Sequence, residues 1–177
     1  MHLNVLQKMS RLLKLVVFLL LIGCSSKYEE RKEDQELLFS VVSRTDEGAS
    51  FAGVYENKKI IVKYGLRTYD AKRDSIIESW IGTDGSIPEM VFEFIQVEIG
   101  KIRIDIPKEV YSDFGEILGG GYMNLLQRGD QLVVVYSGSD GAGSYSFELI
   151  FLGDGFVRAE VYPDLYPSSD LRPIVRQ

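Results

Sequence analysis

The sequence predicts a mainly β protein: an antiparallel sandwich or small barrel with one short helix, behind a cleaved leader and a charged tether. Three observations carry that prediction. From Leu38 onward, apolar and polar residues alternate with period two in segment after segment. Turn compositions rich in Gly and Asp separate those segments at short intervals. Only one stretch, Pro107 to Leu118, has the apolar spacing of a helix face. About ten short strands in such a span favour two stacked layers or a closed barrel. An open single sheet would leave edges that invite aggregation.

The chain begins with a basic start. Lys8, Arg11 and Lys14 face no acid there, and Met9 is an alternative first residue to Met1. Leu15 to Ile22 is an unbroken apolar run, followed by Gly23, Cys24, Ser25 and Ser26. A basic start, a short apolar run and small residues make a secretory signal. As a helix the run is about 12 Å long, against a hydrocarbon core of about 30 Å, so it is too short to span.

Leu21-Ile22-Gly23-Cys24 resembles the lipobox of bacterial lipoproteins, a resemblance that covers only the first 26 or so residues. It implies a diacylglyceryl group on the Cys24 sulfur, cleavage just before Cys24 and acylation of the new amino group, with palmitate as the expected kind of chain. It also implies a bacterial envelope protein held to the membrane through Cys24. Ser25 in the next position, rather than Asp, fits the outer membrane, with the domain facing the periplasm. Two or more acyl chains hold firmly where one binds only marginally.

The expected organisation is a signal peptide at 1–23, a lipidated N-terminus and charged linker at 24–37, a β-rich domain at 38–162 and a Pro-containing tail at 163–177. Without residues 1–23 the chain keeps 154 residues, enough for one domain with a real core. Its charge is then −9, from 17 basic against 26 acidic residues. That acidity argues against nucleic acid and anionic lipid headgroups as partners. The expected partners are the membrane, through Cys24, and another envelope protein.

Cys24 is the only cysteine and His2, within the leader, the only histidine. The mature chain therefore has no imidazole and no intrachain disulfide. This excludes Ser-His-Asp and Cys-His catalysis and any His-ligated zinc or copper. No cofactor and no metal are expected, and the function class is non-enzymatic.

Along the mature chain, Ser25 to Glu36 is too polar and charged to fold alone and reads as a tether. Strands are expected at Phe39–Arg44 and Phe51–Tyr55 around Asp46-Glu47-Gly48, with a further turn at Glu56-Asn57-Lys58. Ile60–Tyr69 and Ser75–Ile81 flank Asp70 to Asp74, the pattern of a hairpin. Val91–Ile99 and Lys101–Ile106 meet at Gly100. In the second, Ile102, Ile104 and Ile106 alternate with Lys101, Arg103 and Asp105, the clearest half-buried strand. Val110, Phe114, Ile117 and Leu118 fall at i, i+4, i+7 and i+8, with Pro107 suited to a first turn and Gly119 to Gly121 ending it. Tyr122–Gln127, Leu132–Tyr136, Tyr145–Leu152 and Phe156–Tyr162 complete an antiparallel meander.

Candidate sites are few. Ser137 to Ser144 holds Gly138, Gly141 and Gly143 with Asp140, which could present backbone N–H groups or a carboxylate to a ligand; the same composition makes a plain hairpin turn. It is not a phosphate-binding loop, since no GxxxxGK[ST] occurs. Asp84, Asp140 and Asp154 each precede a glycine, as turn aspartates do, and the EF-hand pattern is absent. Arg128-Gly129-Asp130 spells an adhesion tripeptide in a turn setting. Carboxylate pairs for glycoside hydrolysis are not singled out: Glu93 and Glu98 fall on opposite faces, while Glu148 and Glu160 lie on neighbouring strands. Trp80, with the tyrosines and phenylalanines, could line an apolar pocket or simply fill a core. The expected function is a lipid-anchored envelope protein with a binding or accessory domain. The alternatives are a carrier of a small apolar ligand and a carboxylate-based hydrolase of envelope polymers.

Overall fold

Alternating side chains on short strands need a second layer to bury their apolar face, and the chain supplies it by building one meander on another. The computed structural model describes residues 33–74, 80–83, 86–115, 122–138, 144–162 and 174–177. The strands are β1 (Asp34–Glu36), β2 (Phe39–Thr45), β3 (Gly48–Tyr55), β4 (Lys58–Thr68), β5 (Met90–Ile99), β6 (Ile102–Asp105), β7 (Tyr122–Arg128), β8 (Gln131–Gly138), β9 (Tyr145–Leu152), β10 (Gly155–Tyr162) and β11 (Ile174–Arg176). A five-stranded sheet runs β2-β3-β4-β5-β6 and a six-stranded sheet runs β1-β7-β8-β9-β10-β11. All their pairings are antiparallel. The architecture is an open β-sandwich, as the alternation predicts.

Register decides which residues meet inside. In the smaller sheet, Phe51, Val62, Val97 and Ile104 share a row, and Ala49, Tyr64 and Ile95 share the next. In the larger sheet the inward rows are Leu125-Val134-Leu149-Ala159 and Met123-Tyr136-Phe147-Val161. These residues form one buried cluster, with Ile104 packed against it. Aromatic rings fill its centre: Phe92 meets Tyr64, Tyr111, Phe114, Tyr136 and Phe147 edge-on. Such edge-to-face pairs contribute roughly 0.5–1.5 kcal/mol each beyond burial.

Polar contacts stitch the layers at their rims. The Tyr55 hydroxyl donates to the Asp130 carbonyl at 3.2 Å, and the Lys58 ammonium lies 2.7 Å from Asp154. On the outer face of the smaller sheet, Gly65 lets the Phe94 ring lie over the strand, since a Cβ there would come within 2.4 Å of that ring. A bulge between Gly65 and Leu66 follows directly.

Two expectations are corrected. The helical spacing over Pro107–Leu118 yields one 3₁₀ turn, Lys108–Val110, followed by an irregular segment; residues 116–118 lie outside the described residues. Val110 and Phe114 are fully buried, so the spacing reported burial correctly and backbone wrongly. Gly115 explains part of this: a Cβ there would meet Pro88 and Thr83 at under 3 Å, which places the segment tight against its neighbours. The expected hairpin between 60–69 and 75–81 does not form as such, because β4 pairs with β5 instead. Residues 75–79 lie outside the described residues, and Ile81 makes a single parallel bridge to Phe114.

Two short strands lie in segments expected to be linker and tail. Asp34–Glu36 pairs with β7, and Ile174–Arg176 pairs with β10. Arg176 faces inward from that edge, where it binds the Asp113 carboxylate and the Val110 carbonyl and stands 5.3 Å from the Phe114 ring centre. Among the described residues, no helix is long and apolar enough to cross a membrane.

Candidate functional site

Where the β4–β5 bulge twists the smaller sheet, its end splays from the segment after β6 and opens a pocket of about 170 Å³. Arg67, Arg73, Asp74, Val91, Phe92, Lys108, Tyr111 and Ser112 line it. Val91, Phe92 and Tyr111 reach it from the core but are almost fully buried, so the surface it presents is chiefly that of its polar side chains.

The charged wall is assembled from three segments. Arg67 leaves β4 after the bulge and grips Asp74 with both ends of its guanidinium fork, at 2.8 Å through Nη1 and in close contact through Nη2. Its Nε lies 2.6 Å from the Glu93 carboxylate of β5. The turn after β4 is held by its own aspartates: Asp74 accepts from the Asp70 N–H at 2.9 Å, and Asp70 accepts from the Lys72 N–H at 2.9 Å. That turn delivers Arg73, whose Nη2 donates to Glu93 at 2.8 Å. The guanidinium of Arg67 holds the Asp74 carboxyl below its usual range, and Arg73 does the same for Glu93, with Lys108 adding to the effect. Asp74 in turn raises the Arg67 pKa.

The balance is three cations, Arg67, Arg73 and Lys108, against two carboxylates, Asp74 and Glu93. In a chain of net charge −6 this local excess runs against the whole. Arg67 is spent on its partners. The Lys108 ammonium and the Ser112 hydroxyl make no hydrogen bond among the described residues, and Arg73 is half exposed with one nitrogen engaged. Burial raises the Tyr111 pKa, so its hydroxyl stays protonated at neutral pH.

A second polar feature lies inside the sandwich. The hydroxyls of Tyr64, Tyr136 and Tyr145 are buried without a hydrogen-bond partner among the described residues. The Tyr136 ring stands 5.8 Å from Tyr64 and 6.2 Å from Tyr145. Desolvation pushes all three pKa values up, that of Tyr145 far above its ordinary value. Gly138 makes room there, because a Cβ would come within 2.8 Å of the Tyr145 hydroxyl.

The residues expected from sequence to matter fall elsewhere. Leu21, Ile22, Gly23 and Cys24, and the loop residues Asp140, Gly141 and Gly143, lie outside the described residues, as does Asp84. Arg128-Gly129-Asp130 forms the β7–β8 turn, and its arginine is engaged by Asp34 and Glu148 at 2.7 Å each. Asp154 is bound to Lys58. Trp80 packs edge-on against Tyr69. Glu148 and Glu160 stand directly opposite each other on β9 and β10, yet Glu148 is held by Arg128, and Glu160 by Arg158 and the Tyr162 hydroxyl. Glu98 is paired with Lys63. Among the described residues, no group of three or more His, Cys, Asp or Glu could hold a metal ion. The pocket was missed because its residues are scattered from 67 to 112. The run Asp70-Ala71-Lys72-Arg73-Asp74 was the only local signal, and it reads equally as a turn.

Fold and pocket together define a β-sandwich with a small, locally basic rim cavity. No family model, curated protein or solved structure matches the chain.

Proposed function

We propose that the chain is a lipid-anchored protein of the bacterial cell envelope whose β-sandwich is a non-enzymatic binding body. The observation that carries the anchor is Leu21-Ile22-Gly23-Cys24 behind a basic start and a short apolar run, in a chain with no other cysteine. Ser25 favours the outer membrane, with the body in the periplasm. The binding role is supported by the rim pocket. The absence of catalysis is supported by the chemistry: residues 24–177 lack histidine, and the carboxylates at Asp74, Glu93, Glu148 and Glu160 are each held by arginine. A carboxylate so held is a poor general acid or base. The sandwich interior is occupied by aromatic rings, so the pocket is the place for a ligand. An envelope protein remains the expected macromolecular partner.

The experiment is Cys24→Ser, expressed in a bacterium with its leader intact. The native chain should sediment with membranes and carry a lipid mass on Cys24. The variant should be uncleaved at that site or released from the membrane. Sedimentation of native chain whose residue 24 is unmodified overturns the reading.

A further inference from the structure

We infer that the free edge of β2 takes up an extended segment of another protein, apolar in its middle and basic at both ends, as an added strand. The inference rests on reading the sandwich as a binding body for an envelope protein, and not on the lipid anchor. Edge length singles out this strand, and the charge around it defines the partner.

A sheet edge presents unpaired N–H and C=O groups that accept another strand unless the edge is short, charged or covered. Among the described residues the sandwich has four edge strands. β1 and β11 are three residues each, and β1 carries Asp34 and Glu36. β6 is four residues long, with Arg103 and Asp105 in it. β2 is seven residues, Phe39–Thr45, and contains no proline, lysine or acid. β3 pairs with one side of it, and no described strand pairs with the other. Every residue after Phe39 is exposed, Val41 at 53% and Val42 at 64%, and Leu38 just before the strand is exposed as well. Main-chain hydrogen bonds along such an edge supply affinity, and the side chains around it choose the partner.

The choice here is made by acids. Glu33, Glu36, Asp46, Glu47 and Glu56 flank β2 and the turns beside it, against Arg44 and Lys59. The other nearby charges are already engaged: Lys58 by Asp154, Lys63 by Glu98 and Asp34 by Arg128. Glu36, Asp46 and Glu47 are exposed and form no ion pair among the described residues. Both ends of the strand are therefore net acidic: Glu33 and Glu36 precede it, and Asp46 and Glu47 outweigh Arg44 at its end. A second copy of the chain, laid antiparallel or parallel, would set acid beside acid, which opposes pairing. The bulge between Val41 and Ser43 adds twist at mid-strand. A flexible segment follows that twist, whereas a second rigid sheet does not. A strand with apolar residues beside Val41 and Val42 and Lys or Arg at its two ends meets each of these conditions.

Full-length protein in detergent micelles is titrated with acetyl-Lys-Lys-Val-Thr-Val-Thr-Val-Lys-Lys-amide, with the same peptide bearing Glu for Lys, and with one bearing Pro for the central Val. Binding is followed by calorimetry, strand pairing by amide hydrogen exchange and oligomeric state by sedimentation. The basic peptide should bind with a Kd below about 1 mM and slow exchange within Phe39–Thr45. The acidic peptide keeps the pattern but not the charge, and the proline peptide keeps the charge but loses a ladder donor; each should bind about tenfold more weakly. The variant Glu36→Gln/Asp46→Asn/Glu47→Gln should lose about tenfold in affinity for the basic peptide at an unchanged urea midpoint. If that variant unfolds, the peptide series on the native chain decides alone. The inference is overturned by an acidic or proline peptide that binds as well as the basic one, by a dimer protected at β2, or by a folded variant that binds as the native chain does. Binding that protects another surface rejects this edge and leaves the sandwich a binding body. Absence of binding by all the peptides rejects the edge, and the lipid mass on Cys24 still reports on the anchor separately.

Discussion

Two clusters of charge in this molecule contain almost the same parts and end differently. On the outer face of the larger sheet, Asp34, Arg128 and Glu148 meet, with Glu160, Arg158 and Tyr162 beside them. Their side chains are mostly covered: 14% exposed for Arg128 and 13% for Glu148. Arg128 bonds both carboxylates through its fork and crosses the row in which Val133 and Ile150, though outward, are fully buried. Each of these three carboxylates has an arginine partner, although only two arginines serve them. At the pocket, Arg67 does the same for Asp74 and Glu93, but Arg73 and Lys108 add positive charge beyond what the carboxylates absorb. A network that closes on itself stabilises a fold. One that leaves positive charge over at an open pocket can recruit a ligand. Ion-pair count alone would not separate them.

That contrast can be broken by substitution. Arg128→Ala should have the largest effect. It leaves Glu148 facing Glu160 across the strands and strips a covered carboxylate of its partner, a loss of about 3 kcal/mol read from urea unfolding. Replacing Arg128 by Met and Glu148 by Leu together should cost less than Arg128→Ala alone, because the better-covered Glu148 charge goes with its partner and only the more exposed Asp34 loses Arg128.

The buried phenols give the next effect, through pH. In the folded chain Tyr136 and Tyr145 keep their protons well above the ordinary value of 10.0. Above about pH 10 the unfolded chain sheds these protons and the folded chain does not. The unfolded state then binds fewer protons, and stability falls as pH rises. Each such tyrosine should contribute a slope of about 1.4 kcal/mol per pH unit, with no contribution below pH 10. Tyr145→Phe should remove one share of that slope in urea titrations between pH 10 and 11. At pH 7 the same variant should gain about 1 kcal/mol, because it deletes a buried hydroxyl with no hydrogen-bond partner among the described residues. Smallest of all, Lys108→Ala should shift the urea midpoint at neutral pH by only a few tenths of a kcal/mol, since its ammonium makes no hydrogen bond among the described residues and acts on Glu93 through charge alone.

Much of the fold was legible because strand alternation is local. Tyr145 to Leu152 was bounded as observed, and Val91 to Ile99 and Phe39 to Arg44 to within one residue. Where pairing partners are distant, the pattern was silent. Asp34–Glu36 carries no apolar alternation; it becomes a strand because Arg128, far along the chain, supplies a counter-charge and β7 supplies hydrogen bonds. Ile174–Arg176 is placed by Asp113 and by β10 in the same way. The helical spacing of Val110 and Phe114 was a true sign of burial, since one 3₁₀ turn and an irregular segment can bury the same residues as a helix face. The pocket needed both the bulge at Gly65 and the pairing of β4 with β5, and neither has a signature in neighbouring residues.

The way the meanders follow each other sets an order of assembly. The hairpins β2 to β4 and β5 to β6 can zip as they are made, and β7 to β10 likewise, while β4 and β5 must pair across residues 69–89. β1 is different: the partner of Asp34 is Arg128, so the first strand has nowhere to dock until the second meander exists. Asp34–Glu36 is therefore fastened only after β7 exists, and the front of the sandwich stays slack until the later half of the chain arrives to hold it.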